Sequence, residues 1–97
     1  MKTLYLAEFK YGKGRLIRFE SDRETDKNYM VINSSKQMLI GDFLFISSRV
    51  SKDKPVFAKK ADAVNYLIEK TQTYIRNLQK NISMAKTQIE ALKQESE

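Results

Sequence analysis

The chain has 97 residues, about the size of one small domain, and contains no His, Cys or Trp. Without Cys it has no disulfide, thiol nucleophile or thiolate metal site, and without His it has no imidazole base or ligand. Its 18 basic and 12 acidic residues give a net charge of +6. Since no pair of carboxylates falls on an evidently buried element either, we expect a non-enzymatic protein without catalytic residues, cofactor or metal.

The first residues do not resemble a secretory signal, because Glu8 stands where the apolar core of a signal peptide would continue. The longest apolar stretch, around residues 38–46, is interrupted by Asp42 and falls far short of the roughly 20 residues that span a bilayer. We therefore expect a cytoplasmic protein with no membrane partner, located in the host cytoplasm if the chain is viral.

The first two strands form a predicted β-hairpin. Apolar and polar residues alternate over residues 3–11 and 15–20, on either side of Gly12-Lys13-Gly14. Since glycine takes positive φ easily, this spacing predicts a three-residue loop with one apolar face on the hairpin. The resulting register has the cross-strand pairs Tyr11–Arg15, Phe9–Ile17, Ala7–Phe19 and Glu8–Arg18.

The remainder of the first 58 residues predicts further short strands. A charged loop is expected over residues 21–28, a strand over 29–33, and a turn over 34–36. A strand system follows over 37–50 with a bulge, bend or turn at Gly41-Asp42, and a last strand begins at Pro55. About five short antiparallel strands predict a head, residues 1–58, that is either a small open sheet or an SH3-like barrel.

Residues 59–97 predict one long helix, because neither Gly nor Pro interrupts them. The first turns carry a broad apolar stripe suited to packing on a sheet. The stripe then narrows to a heptad repeat with isoleucine at every a position. The a and d positions of this repeat are Ile68, Thr71, Ile75, Leu78, Ile82, Ala85, Ile89 and Leu92.

The heptad repeat predicts that the helix forms an intermolecular coiled coil, so that the fold is α+β and the chain a homodimer or higher oligomer. A helix of this length extends about 55 Å, whereas a head of 58 residues is only about 20–25 Å across, so half of the helix must overhang. The alternatives are a helix from another protein, packing within the chain, or a helical hairpin near residues 81–83. Isoleucine at a and leucine at d favour a parallel pair, but Thr71 and Ala85 are poor d residues, and alanine also tolerates closer or antiparallel packing.

Five basic side chains are candidate contacts for a small anionic ligand or a nucleic acid. Four of them lie near aromatic residues, and aromatic rings stack on bases while basic groups neutralise phosphates. The fifth follows two serines, whose hydroxyls could bind an anion together with its guanidinium group. The predicted hairpin register, however, directs Phe9 and Tyr11 into the core, and a plain turn explains Gly12 and Gly14 better than a phosphate loop. The five candidates are Lys10, Lys13, Arg15, Arg18 and Arg49.

The preferred hypothesis is a homo-oligomeric binding protein whose paired β heads engage a protein partner or a small anionic ligand. Doubling the head raises the effective concentration of its binding surface. A small basic protein of this layout is typical of accessory or inhibitor proteins from phages and mobile elements. The alternative functions are a nucleic-acid-binding module dimerised by the helix, and a purely structural adaptor.

Overall fold

The computed structural model describes residues 1–41 and 46–96, which form a six-stranded antiparallel sheet followed by one long helix. The α+β arrangement is confirmed. No helix among the described residues is both long and apolar enough to cross a bilayer. The elements are β1 (Lys2–Lys10), β2 (Lys13–Glu24), β3 (Asn28–Val31), a 3₁₀ turn (Asn33–Ser35), β4 (Gln37–Ile40), β5 (Arg49–Ser51), β6 (Val56–Phe57) and α1 (Lys60–Glu95).

The β1–β2 hairpin forms, but its predicted register is wrong. Its turn contains only two residues, Tyr11 and Gly12, both with positive φ (54° and 79°). Positive φ at both positions suits a two-residue hairpin, because such a turn follows the right-handed twist of its strands. The pairs that replace the predicted ones are Lys10–Lys13, Phe9–Gly14, Glu8–Arg15, Ala7–Leu16, Leu6–Ile17, Tyr5–Arg18 and Leu4–Phe19.

The observed register gives the hairpin two apolar faces instead of one. Leu6 and Phe19 belong to one buried cluster, which is completed by residues of β3 and β5. Ala7 and Leu16 belong to a second cluster on the opposite face, which is completed by the start of α1. The predicted pairs Ala7–Phe19 and Phe9–Ile17 are therefore wrong, since their members lie on opposite faces of the sheet.

β2 is longer than predicted and serves as the central strand of the head. It continues to Glu24, through the first half of the predicted loop, because Ser21 is buried and pairs with both Lys2 and Val31. The edge of β2 that faces away from β1 pairs with β4 around Ile17 and with β3 from Ser21 onwards. Each of these pairings contains a register shift. A strand of 12 residues thus organises the sheet.

The described strands form an open sheet, in the order β5-β3-β2-β1-β6 with β4 also on β2. This corresponds to the open-sheet alternative, and six strands replace the expected five. β4 ends at Ile40 and is followed by a bend at Gly41, where φ is 101°; a bend is one of the three alternatives predicted there. The predicted involvement of Asp42, and the predicted strand system over 42–45, lie outside the described residues.

Helix α1 buries side chains against the sheet only in its first two turns. It begins one residue after the predicted start, with Asp62 in its first turn, where a carboxylate favours the positive end of the helix dipole. Ala63 and Leu67 are its buried residues, and both contact the cluster around Ala7 and Leu16. The molecule is consequently elongated, with extents of 69 × 25 × 23 Å.

Candidate oligomerisation face and basic residues

The head holds α1 at two levels. Ala63 and Leu67 fill the second core cluster close to the start of the helix. About four turns along, the ring of Tyr74 packs edge-on against Phe9 with 5.8 Å between ring centroids. The hairpin turn also reaches this ring, because a Cβ atom on Gly12 would lie only 2.7 Å from a Tyr74 ring carbon. The hairpin therefore supports the helix as far as Tyr74.

Beyond Tyr74 the helix overhangs the head. The predicted a and d residues are exposed both in this overhang and in the supported part before it. Every residue of α1 from Ile68 onwards that the structure describes is exposed. The larger side chains of the stripe retain between 42% and 60% of their accessible surface. The stripe is formed by Ile68, Thr71, Ile75, Leu78, Ile82, Ala85, Ile89 and Leu92, which we call the a/d stripe.

At its head end the a/d stripe continues into an apolar groove of about 340 Å³. One wall of the groove is α1, from Val64 to Gln72, with Ile68 and Thr71 among its lining residues. The other wall is the head, where Gly14 and the half-exposed Ile40 face the helix. The stripe and the groove thus form one continuous apolar surface that runs along the helix and against the head.

Thr71 and Ala85, the two poor d residues of the stripe, bring no unsatisfied hydrogen-bonding group into it. The Thr71 hydroxyl donates a hydrogen bond to the carbonyl oxygen of Leu67 at 2.7 Å, one turn back in the same helix. Since this hydroxyl already has an acceptor, burying Thr71 against another apolar surface leaves no unsatisfied donor. Ala85 has no polar side-chain atom, so the stripe can be buried along its whole length.

Three of the five candidate anion-binding residues come together at the tip of the hairpin. Lys10 and Lys13 are directly paired there, and Arg15 lies two residues along on the same face. Like charges opposite each other are unfavourable in a sheet. Among the described residues no carboxylate lies within salt-bridge distance of these three side chains. One face of the tip therefore carries three basic side chains, with the acidic Glu8 directly opposite Arg15.

The other two candidates lie elsewhere. Arg18 pairs with Tyr5 on the opposite face of the hairpin. Arg49 lies in β5, two strands away from β2, and pairs with Met30. The structure thus divides the five predicted contacts into one cluster of three and two separate residues.

The aromatic residues near the basic tip are placed differently from the prediction. Tyr11 is not in the core: it occupies the turn and is 96% exposed. Phe9 faces α1 and is held by Tyr74. Of the two aromatic residues Phe9 and Tyr11, Tyr11 therefore has its ring free to stack on a ligand at the tip.

The ion pairs of the described residues gather at the far end of the sheet. Glu24 accepts a hydrogen bond from Lys2 at 3.0 Å and forms a second ion pair with Lys52 at 3.1 Å. The hydrogen bonds from Lys2 and then Lys52 lower the pKa of the Glu24 carboxyl. This cluster joins β1, β2 and the turn after β5. No group of three or more acidic side chains with metal-binding spacing occurs in residues 1–41 and 46–96.

Two parts of this surface were missed by sequence reasoning. Ile40 was assigned only to a strand, although an isoleucine immediately before a turn glycine is a signal for an exposed apolar strand end. The contact between Gly12 and Tyr74 had no local signal, because it depends on the hairpin register and on the rotation of the helix.

Comparison of the chain with protein-family models, curated proteins and solved structures gives no match.

Proposed function

We propose that this protein is a non-enzymatic, homo-oligomeric binding protein in which a coiled coil of α1 helices carries two or more β heads. The observation that carries the proposal is the a/d stripe, which is apolar, follows a heptad repeat and overhangs the head. Contiguous apolar surface of this kind is uncommon on monomers and is typical of interaction faces.

The energetics favour self-association. Burial of apolar surface contributes roughly 25 cal/mol per Å², so packing half-exposed isoleucines against a second helix stabilises the assembly substantially. The head alone is small, and small domains commonly depend on oligomerisation for stability. The a/d pattern also provides every copy with the same self-complementary surface.

In the proposed assembly, the heads engage a protein partner or a small anionic ligand. Two heads on one coil bind a partner that presents two sites with increased avidity, without any new contact. The compartment that we propose is the cytoplasm, and the role is that of an accessory or inhibitor protein.

Sedimentation velocity at micromolar concentration tests the assembly. We expect a species larger than the monomer, and we expect Ile82→Asp to convert it to monomer because the substitution places a charge in the proposed interface. The matched control is Ser83→Asp, which places the same charge one residue away at an exposed b position and should leave the mass unchanged. A monomeric wild-type chain would contradict the proposal.

A second candidate function, nucleic-acid binding, is favoured by the hairpin tip. Lys10, Lys13 and Arg15 concentrate positive charge beside the exposed ring of Tyr11. Basic groups next to a free aromatic ring are the elements of a single-strand binding surface.

Titration of labelled duplex and single-stranded nucleic acid at two salt concentrations separates this candidate from the first. If it is correct, affinity falls steeply with salt, and Lys10→Glu with Lys13→Glu weakens binding at least tenfold. The control variant, Arg23→Glu with Lys27→Glu, makes the same charge change on exposed side chains at the other end of β2 and in the turn that follows it. Equal losses for both variants, or binding without a salt dependence, would exclude the tip as a nucleic-acid site.

A further inference from the structure

We propose that two copies of the chain associate antiparallel, with the two-fold axis beside residue 80, so that the last heptad of each helix fills the head groove of the other. The inference rests on the proposed self-association and adds its orientation and register. It is carried by the sizes of the side chains along the a/d stripe, by the position of the apolar groove and by the length of the overhang.

A parallel pair would pack the a/d stripe unevenly. In parallel coils each layer contains the same residue from both chains. Four isoleucine layers would then alternate with four d layers of unequal size. One of these d layers would contain only Thr71 from each helix, and another only Ala85 from each helix. Layers of small residues leave space between the helices, and unfilled core space is destabilising.

An antiparallel pair distributes the same residues evenly. In the proposed register, the numbers of the two residues that face each other, one from each chain, sum to 160. Every isoleucine at an a position then faces a d residue, and the two small d residues each face an isoleucine. All eight residues of the stripe are then used. A register shifted by one heptad in either direction leaves Ile68 or Leu92 without a facing residue from the partner's stripe. The layers are Ile68 with the partner's Leu92, Thr71 with the partner's Ile89, Ile75 with the partner's Ala85, and Leu78 with the partner's Ile82.

This register also accounts for the groove. Ile68 and Thr71 line it from the helix, and Gly14 and Ile40 line it from the head. The antiparallel pairing brings the partner's Ile89 and Leu92 to this level, so that two large apolar side chains enter the groove and cover Ile40. The apolar surface on the head is thereby completed by the second copy.

The length of the helix fits the same arrangement. α1 ends at Glu95, and in this register the partner's Glu95 lies level with Asn65, one turn after the start of the helix. The overhang of one chain therefore spans the other helix up to its head and stops there. The positions beside the core raise no charge conflict, since Lys86 lies beside the partner's Gln72 and Lys93 beside the partner's Asn65.

Distance measurements between spin labels test the orientation, and the chain is well suited to them because it has no cysteine. With Lys93→Cys labelled in both copies, the antiparallel pair places the labels about 40 Å apart, whereas a parallel pair places them within about 20 Å. Mixing labelled Lys93→Cys and labelled Asn65→Cys chains adds a second distance from the heterodimers to the one seen in the homodimers. For the antiparallel pair a short distance appears beside the long one, whereas for the parallel pair a distance of about 40 Å appears beside the short one.

A second variant tests the layers without a label. In the antiparallel register Ala85→Leu crowds the partner's Ile75, and we expect dimerisation to weaken about tenfold. In a parallel pair the same substitution fills the Ala85 layer and tightens dimerisation. The control is Ala91→Leu, which adds the same side chain at an exposed c position and should leave the affinity unchanged.

The outcomes distinguish this inference from the proposed function. Dimers with a short distance between Lys93→Cys labels, or with tighter association of Ala85→Leu, would overturn the antiparallel arrangement and leave self-association intact. A monomer in sedimentation would overturn both. Dimers with the long distance, a short distance in the mixture and weakened Ala85→Leu association establish the arrangement.

Discussion

The two ends of this chain obtain their stability in different ways. In the head, the β1–β2 hairpin is covered on both faces, by β3 and β5 on one side and by the start of α1 on the other. In the overhang, residues such as Ile82 and Ile89 have only neighbouring turns of their own helix beside them and are half exposed. The contrast shows that one chain can satisfy its hydrophobic residues internally at one end and display a regular apolar stripe at the other.

The largest expected effect is in the head. Phe19 is fully buried, so Phe19→Ala should lower the free energy of unfolding of the head by about 3–5 kcal/mol. Met84→Ala, in the overhang but outside the a/d stripe, should change head stability by less than about 0.5 kcal/mol, because Met84 is exposed. All five tyrosines lie at or before residue 74, so tyrosine fluorescence during urea denaturation follows the head, while circular dichroism at the helix band follows α1. Equal effects of the two substitutions on the fluorescence transition would remove the distinction between the regions.

The boundary between the regions is tested by Gly12→Ala. Gly12 has a φ of 79°, and an added Cβ would meet the Tyr74 ring at 2.7 Å. We expect a loss of about 1–3 kcal/mol, because both backbone strain and a steric conflict are introduced. In a double-mutant cycle, Tyr74→Ala removes the conflict and leaves the strain, so the two losses should not add. Additive losses in urea denaturation would show that the turn and the helix are not in contact.

The smallest effect is expected at the ion pairs of Glu24. The folded state lowers the pKa of this carboxyl below its unfolded value, so the ionised group favours folding above the unfolded pKa. This contribution is lost as the pH falls through the folded pKa. Glu24→Gln should therefore destabilise the head slightly at neutral pH, and the difference should vanish in acid. Exposed ion pairs contribute little, so a large or pH-independent difference in urea midpoints would contradict the assignment.

The elements with regular periodicity could be predicted from the sequence, and those defined by tertiary contacts could not. The helix follows from an uninterrupted run with a 3.5-residue repeat, and its start was predicted to within one residue. The hairpin register was not predicted, because Gly14 offered an apparent second turn glycine while Tyr11 took the positive φ instead. One-sided amphipathicity was also the wrong assumption for a hairpin that is buried on both faces.

The candidate site likewise has parts that could be predicted from the sequence and parts that could not. The a/d stripe depends only on spacing along one helix, so the sequence identified its members. The basic residues depend on strand pairing, because the observed register moves Lys10 from the face of Arg18 to the face of Lys13 and Arg15. The groove at Ile40 depends on how β4 and α1 lie against each other, for which no local pattern exists.

The contact between Gly12 and Tyr74 places two separate demands on one residue. Gly12 has a φ of 79°, which favours glycine, and a Cβ atom there would lie 2.7 Å from a Tyr74 ring carbon. The residue type at position 12 is therefore specified twice, once by the hairpin turn and once by the helix, although Gly12 has no side chain to take part in either.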